Sequence, residues 1–94
     1  MNIQQTKLFA KQKKKLHAHQ IKKLDEAVRT IAKDPNIGIQ KKGDLNFVRV
    51  YKFKTNDQEL LLAYQAMETD KLILLSLGSY ENFYRDLKRV LRVI

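Results

Sequence analysis

The chain has no cysteine and no tryptophan, a single proline and three glycines in 94 residues. Without cysteine, neither disulfides nor thiolate metal sites can form, and the composition suits a reducing compartment. So little proline and glycine excludes collagen-like and low-complexity chains. No apolar run approaches the length of a membrane span, and the opening MNIQQTKLFAKQ lacks the apolar core of a signal peptide. A cytoplasmic protein without membrane contact is therefore expected. Acids are also scarce, ten against nineteen Lys and Arg.

What is present is a 44% hydrophobic content, enough for a real core, on a body of net charge +9. A single domain over residues 1–94 is expected, since a second core would be too small to stand alone. Such a charge on so small a body favours anionic partners and salt-sensitive association. It is also uneven. Residues 1–33 carry nine bases against two acids, whereas 55–77 carry one against four. An acidic hairpin end opposite basic helices would orient the molecule on a polyanion.

Asn2 to Gln5 reads as a short edge strand, and Thr6 as the N-cap of a helix through Leu16. After a turn near His17, Ile21, Leu24, Val28 and Ile31 draw one apolar stripe along a second helix to about Lys33. Asp34-Pro35-Asn36 ends it, because the residue before proline leaves the helical region. From Leu45 to Lys54 the period changes to two: Phe47, Arg49, Tyr51 and Phe53 point one way, and Val48, Val50, Lys52 and Lys54 the other. Thr55-Asn56-Asp57 is a hairpin turn leading to a strand from Glu59 to Ala66. A polar turn at Glu68-Thr69-Asp70 precedes a last strand, Lys71 to Leu77, whose apolar residues on both faces mark an internal position. Phe83, Leu87, Val90, Leu91 and Ile94 describe a final amphipathic helix. The predicted architecture is α+β, in the order β-α-α-β-β-β-α: an N-terminal helical hairpin packed on a small antiparallel sheet, with a C-terminal helix.

Several chemistries are absent from the pattern. There is no GxGxxG, Walker loop, HExxH or CxxC. His17 and His19, two apart at a helix turn among lysines, do not converge on a metal. No cofactor or metal is expected, and no carboxylate pair supports glycosidase-type acid–base work. What remains is basic residues interleaved with aromatics. Lys52 and Lys54 share a strand face, Arg49 precedes them on the other, and Tyr80, Tyr84 and Arg85 follow the last strand. If the strands pair in that order, these groups gather on one concave side. Such a set binds phosphates, stacks a base on a ring and stabilises charge on a transferring phosphoryl group. Lys41 and Lys42 form a basic loop, of a kind usually solvated.

Three local patterns, in order and at spacing, resemble the RelE/ParE toxin superfamily over nearly the whole chain. The first is the helix-ending Asp34-Pro35-Asn36-Ile37-Gly38 followed by Lys41-Lys42-Gly43-Asp44-Leu45. The second is Tyr51-Lys52-Phe53-Lys54 with Leu62-Ala63-Tyr64-Gln65, similar to strands of the RelE branch. The third is Leu77-Gly78-Ser79-Tyr80 with Phe83-Tyr84, similar to the strand end of YafQ-like members. The resemblance implies a growth-arresting toxin that forms a hetero-oligomer with a cognate antitoxin. In RelE-like members the toxin enters the ribosomal A site and cleaves messenger RNA through attack of a 2′-hydroxyl on the adjacent phosphate. By that resemblance, Lys52, Lys54, Tyr80 and Tyr84 are the catalytic candidates, and Lys41, Lys42, Arg49 and Arg85 the nucleic-acid contacts. A lysine of lowered pKa or a tyrosine would act as base. The sequence departs from the family twice: Leu61 stands where the RelE branch has an arginine, and Tyr80 where YafQ-like members have a histidine. ParE-like members share the fold, lack this set and poison DNA gyrase instead. Both readings stay open at this point, the nuclease preferred, with a non-catalytic nucleic-acid binder third.

Overall fold

In the computed structural model, residues 2–56, 58–79 and 83 are described, Asp44 by its backbone alone. Tyr80, Tyr84, Arg85 and most of the expected C-terminal helix lie outside the described residues.

The described chain runs β1 (Asn2–Gln5), α1 (Lys7–Lys14), α2 (Ala18–Lys33), β2 (Ile39–Gln40), a 3₁₀ turn (Gly43–Leu45), β3 (Arg49–Lys54), β4 (Glu59–Met67) and β5 (Lys71–Gly78). The strands form one sheet in the order β1-β5-β4-β3-β2. The α+β class and the internal position of β5 agree with the sequence reading.

Three features differ from it. The sheet is mixed rather than antiparallel, because β1 pairs parallel with β5, Ile3 opposite Leu72 and Gln5 opposite Leu74. Asn2-Ile3-Gln4-Gln5 is exposed throughout, so no burial pattern in the sequence could select its neighbour. β2 is an additional strand of two residues, too short to show a period. Residues 45–48, expected to open β3, instead turn: Asn46 N–H donates to Gly43 and Val48 N–H to Leu45. Gly43 starts that turn at φ +71°, a conformation that glycine adopts without steric cost.

Helices α1 and α2 pack on one face of the sheet. Phe9 of α1 and Leu24 and Ile31 of α2 pack with Leu60, Leu62, Tyr64, Leu72, Leu74 and Leu77. Leu24 and Ile31 are the centre of the stripe read from the sequence, and Ala27 completes it. On the opposite face Val48, Val50, Leu61, Ala63, Leu75 and Phe83 form a second cluster.

A bulge in β5 resets which of its residues face each core. Ala63 pairs with Ser76 and the next residue, Tyr64, with Leu74, so Leu75 is the extra residue. A bulge of this kind leaves an extra carbonyl outside the ladder. Thr6 closes that gap. Its hydroxyl donates to the Leu75 carbonyl at 2.7 Å and accepts from Phe9 N–H at 3.0 Å, so one side chain caps α1 and ties it to the bulge. Thr6→Ala should therefore cost about 1–2 kcal/mol, at the upper end for a lost N-cap. Urea denaturation should show a lower midpoint with an unchanged slope, and Thr6→Ser should restore most of it.

Candidate functional site: a lysine row and a clamped loop

β3 places Lys52 and Lys54 together on the face away from α1 and α2, sharing a side as its alternation predicted, and both are exposed. Their Cα atoms stand about 6.8 Å apart at the usual rise of a strand. Directly across the sheet, Lys52 faces Leu61, and Leu61 faces Gly78. Lys54 faces Glu59, a counter-charge at the hairpin end. Leu61, only 2% exposed, belongs to the apolar floor beneath the row. Gly78 supplies no side chain, and a Cβ there would meet nothing within 4 Å. Among the described residues the row is thus two cations beside an apolar floor and an open glycine. Such a surface suits a phosphate with its sugar.

Arg49 is not part of that row. It lies on the helix-facing side, opposite Tyr64, and its Nη1 donates to the carbonyls of Gly38 at 2.8 Å and Asn36 at 3.2 Å. Lys42 is exposed in the loop after β2, and the backbone N–H of Lys41 donates to Val48. The geometry therefore gathers Lys52 and Lys54 on one face and sets Arg49, with the Lys41-Lys42 loop, at the other end of β3. Tyr80, Tyr84 and Arg85 lie outside the described residues.

Tyr64 is the residue whose role the sequence reading missed. Its ring is fully buried, and its hydroxyl donates to the Pro35 carbonyl at 2.7 Å and accepts from Gly38 N–H at 2.9 Å. With Arg49 it clamps the loop that follows α2 from two sides. A tyrosine in an otherwise aliphatic strand was the available signal, because a buried phenol needs a partner for its hydroxyl. Gly38 is required by the same contact: a Cβ there would come within 2.7 Å of the Tyr64 oxygen. Burial raises the Tyr64 phenol above its ordinary 10.0; the Gly38 N–H and the Arg49 guanidinium act the other way, and Asp34 adds to the rise.

The other titratable clusters are poor in chemistry. His17 and His19 stack at 6.0 Å at the start of α2, where the Gln20 side chain accepts from His17 N–H. Among the described residues no group of three or more His, Asp or Glu is placed to hold a metal. No described helix is long and apolar enough to cross a membrane.

Tyr64→Phe should cost about 1–3 kcal/mol, because the Gly38 N–H and the Pro35 carbonyl lose their partner. The pH dependence has a definite sign. The fold holds the Tyr64 proton more tightly than the unfolded chain does, so its contribution is complete below pH 10 and lost as pH rises past it. Denaturation from pH 7 to 11 should show the gap between wild type and Tyr64→Phe shrinking only above pH 10. A gap that grows there would contradict the clamp.

The family model for the ParE-like toxin of type II bacterial toxin–antitoxin systems matches residues 3–88. Among curated proteins, no sequence matches the chain. Among solved structures, an arginine double mutant of the E. coli toxin RelE in the free state has a TM-score of 0.77 at 16% identity, covering 99% of this chain and 96% of that one. A chain of the intact E. coli RelBE toxin–antitoxin complex has a TM-score of 0.69 at 20% identity, covering 85% and 96%. The same RelE mutant bound to a RelBc antitoxin peptide gives 0.68 at 17%, covering 85% and 83%. At these identities the likeness is one of fold.

Proposed function

The chain belongs to the ParE-like toxin family of type II bacterial toxin–antitoxin systems, and from that premise we propose that it arrests growth by cleaving messenger RNA on the ribosome. The observation that carries this reading is the pair Lys52 and Lys54, exposed on one strand face beside the open position at Gly78. A 2′-hydroxyl attacks the adjacent phosphorus; the new O2′–P bond forms as the P–O5′ bond breaks. The 2′ proton passes to a base and the 5′ oxygen gains one, leaving a cyclic phosphate and a 5′-hydroxyl. Lys52 and Lys54 offset the charge gathering on the phosphoryl oxygens, and one of them protonates the departing oxygen. Tyr80 and Tyr84 keep the catalytic roles that the sequence resemblance implies, with Arg85, Lys41 and Lys42 on the RNA backbone. Arg49 serves the loop first, through its two carbonyl contacts.

A cognate antitoxin is the expected partner, in the cytoplasm, and two of the similar RelE structures contain one or a peptide of one. The basic surface would take an acidic segment that folds on binding.

One observation favours a second reading. Leu61, where the RelE branch has an arginine, is buried in the apolar floor, so the row has one cation fewer. A gyrase poison on the same fold would need no phosphate chemistry there.

Expression of the chain alone should stop growth, and co-expression of its adjacent small gene should restore it. Lys54→Ala should remove about 2–4 kcal/mol of transition-state stabilisation, the scale of one lost oxyanion-hole donor. Because Lys54 is exposed at the end of β3, the fold should survive the change. Transcript 5′-end mapping after induction should then show cleavage in wild type and little in the variant. Full toxicity of Lys54→Ala with intact messenger RNA and altered supercoiling would move the assignment to gyrase.

Binding of wild type to single-stranded RNA should fall by ~10³ or more between 50 and 200 mM salt if six or more phosphates are contacted. A flat salt response would confine the +9 charge to solubility.

A further inference from the structure

At the end of β3 away from the lysine row lies a small cleft of about 240 Å³, with Asn36, Gln40, Asn46, Phe47, Arg49 and Gln65 among its lining. We propose that this cleft holds one unstacked base of a single-stranded RNA, a few nucleotides from the phosphate on Lys52 and Lys54; the proposal rests on the RNA-cleavage reading given above.

The lining has the right chemistry and is held in place. Four carboxamides each offer a donor and an acceptor side by side, which matches the edge of a nucleobase. Two of the flat groups are fixed before any ligand arrives. Gln40 sits directly across from Arg49 in the sheet, and its Nε2 donates to the Asn46 carbonyl at 2.8 Å. The Arg49 guanidinium is held by the Asn36 and Gly38 carbonyls, which sets the plane on which a base can lie. Phe47 is the stacking partner. It is 43% exposed, an aromatic ring left in solvent beside polar neighbours, and aromatic rings and guanidinium planes are what hold splayed-out bases. None of the lining residues named above is acidic. At this volume the cleft is below the roughly 300–1,000 Å³ of sites for drug-sized ligands and on the scale of a single ring system.

Its position gives it a use. From Arg49 to Lys54 the strand covers about 17 Å at its usual rise, a distance of a few nucleotides in an extended strand. The two ends lie on opposite faces of the sheet, but β2 pairs only with Arg49 and Val50. Among the described residues the outer edge of Tyr51–Lys54 carries no further strand, so an RNA can pass around it. The exposed Lys42 lies in the loop between the cleft residues Gln40 and Asn46. A base anchored here would select the sequence presented to the lysine row.

The test uses the full chain made by cell-free synthesis and 2′-O-methyl RNA octamers, which resist cleavage, each carrying one 2-aminopurine. The chain has no tryptophan, so the probe's fluorescence is read alone. Wild type should quench one probe position strongly. Phe47→Leu, which keeps an apolar side chain without the ring, should abolish the quench and weaken affinity about tenfold, the scale of one lost base–aromatic stack. Phe47→Tyr should retain both, which separates stacking from a folding defect. Gln40→Ala should change the ranking of octamers differing at that base, whereas Lys52→Ala should weaken all of them alike. Equal quench and affinity in wild type and Phe47→Leu would overturn the proposal. So would a Phe47→Leu protein that binds RNA normally but loses its antitoxin, since the cleft would then be a protein-docking site. Transcript mapping is read separately: Phe47-dependent binding without any cleavage would keep the base cleft and remove the nuclease reading.

Discussion

A buried phenol has to find partners for its oxygen, and in this fold Tyr64 finds both in the loop that follows α2. Left unbonded, those groups would cost a few kcal/mol, a large share of the stability of a domain this small. The loop therefore cannot move away from the sheet, and much else follows from where it is held. Asp34-Pro35 ends the helix, but it is Tyr64 that fixes where the chain goes next. Gly38 is drawn so close that only a hydrogen fits where a Cβ would be. Ile39 and Gln40 then lie alongside Val50 and Arg49 and close the outer corner of the sheet. Arg49 completes the clamp across the strand pair, so a residue with the charge to bind phosphate is engaged with backbone carbonyls instead.

The second constraint is one of register. Without the bulge at Leu75, strict alternation would turn Ser76 and Gly78 toward the helices and Leu77 away from them. With it, Leu77 returns to the helix-side core and Gly78 joins the row of Leu61 and Lys52. Among the described residues, the position without a side chain across Leu61 from Lys52 is thus a product of one extra residue. The arrangement has a cost, because Ser76 is fully buried and its Oγ has no hydrogen-bond partner among the described residues. Thr6 offsets part of it by taking the bulge carbonyl. The bulge, the N-cap and the glycine belong to one device, which joins the first helix to the face on which chemistry is proposed.

The boundary between what was legible and what was not follows from range. Thr6 as a cap, Asp34-Pro35 as a stop and the Leu24–Ile31 stripe are local signals, and each stands in the structure as read. The face of Lys52 and Lys54 was legible too, because strand alternation decides it without knowledge of neighbours. Period two says nothing about who pairs with whom, so the parallel pairing of β1 was hidden. A two-residue strand has no period, and a bulge belongs to a pair of strands rather than to either sequence. The candidate site divides the same way. The lysine pair came from spacing, whereas the engagement of Arg49 depends on carbonyls eleven and thirteen residues away along the chain.

Charge sets the last step. Two ion pairs of the described residues are exposed and long, Lys13 with Asp25 at 3.9 Å and Lys23 with Glu26 at 3.7 Å. Such pairs contribute about 0–1 kcal/mol each and leave the net charge of +9 untouched. Self-repulsion of that charge opposes compaction of a chain whose core is already small. Anything acidic that covers the basic surface relieves the repulsion and stabilises the folded state by mass action. An antitoxin segment and an RNA backbone both meet that description. Where they cover the same lysines, each must weaken the binding of the other by an equal factor. Under the function proposed above, neutralisation by a partner would need no conformational switch in the toxin; shared electrostatics on the face of Lys52 and Lys54 would be sufficient.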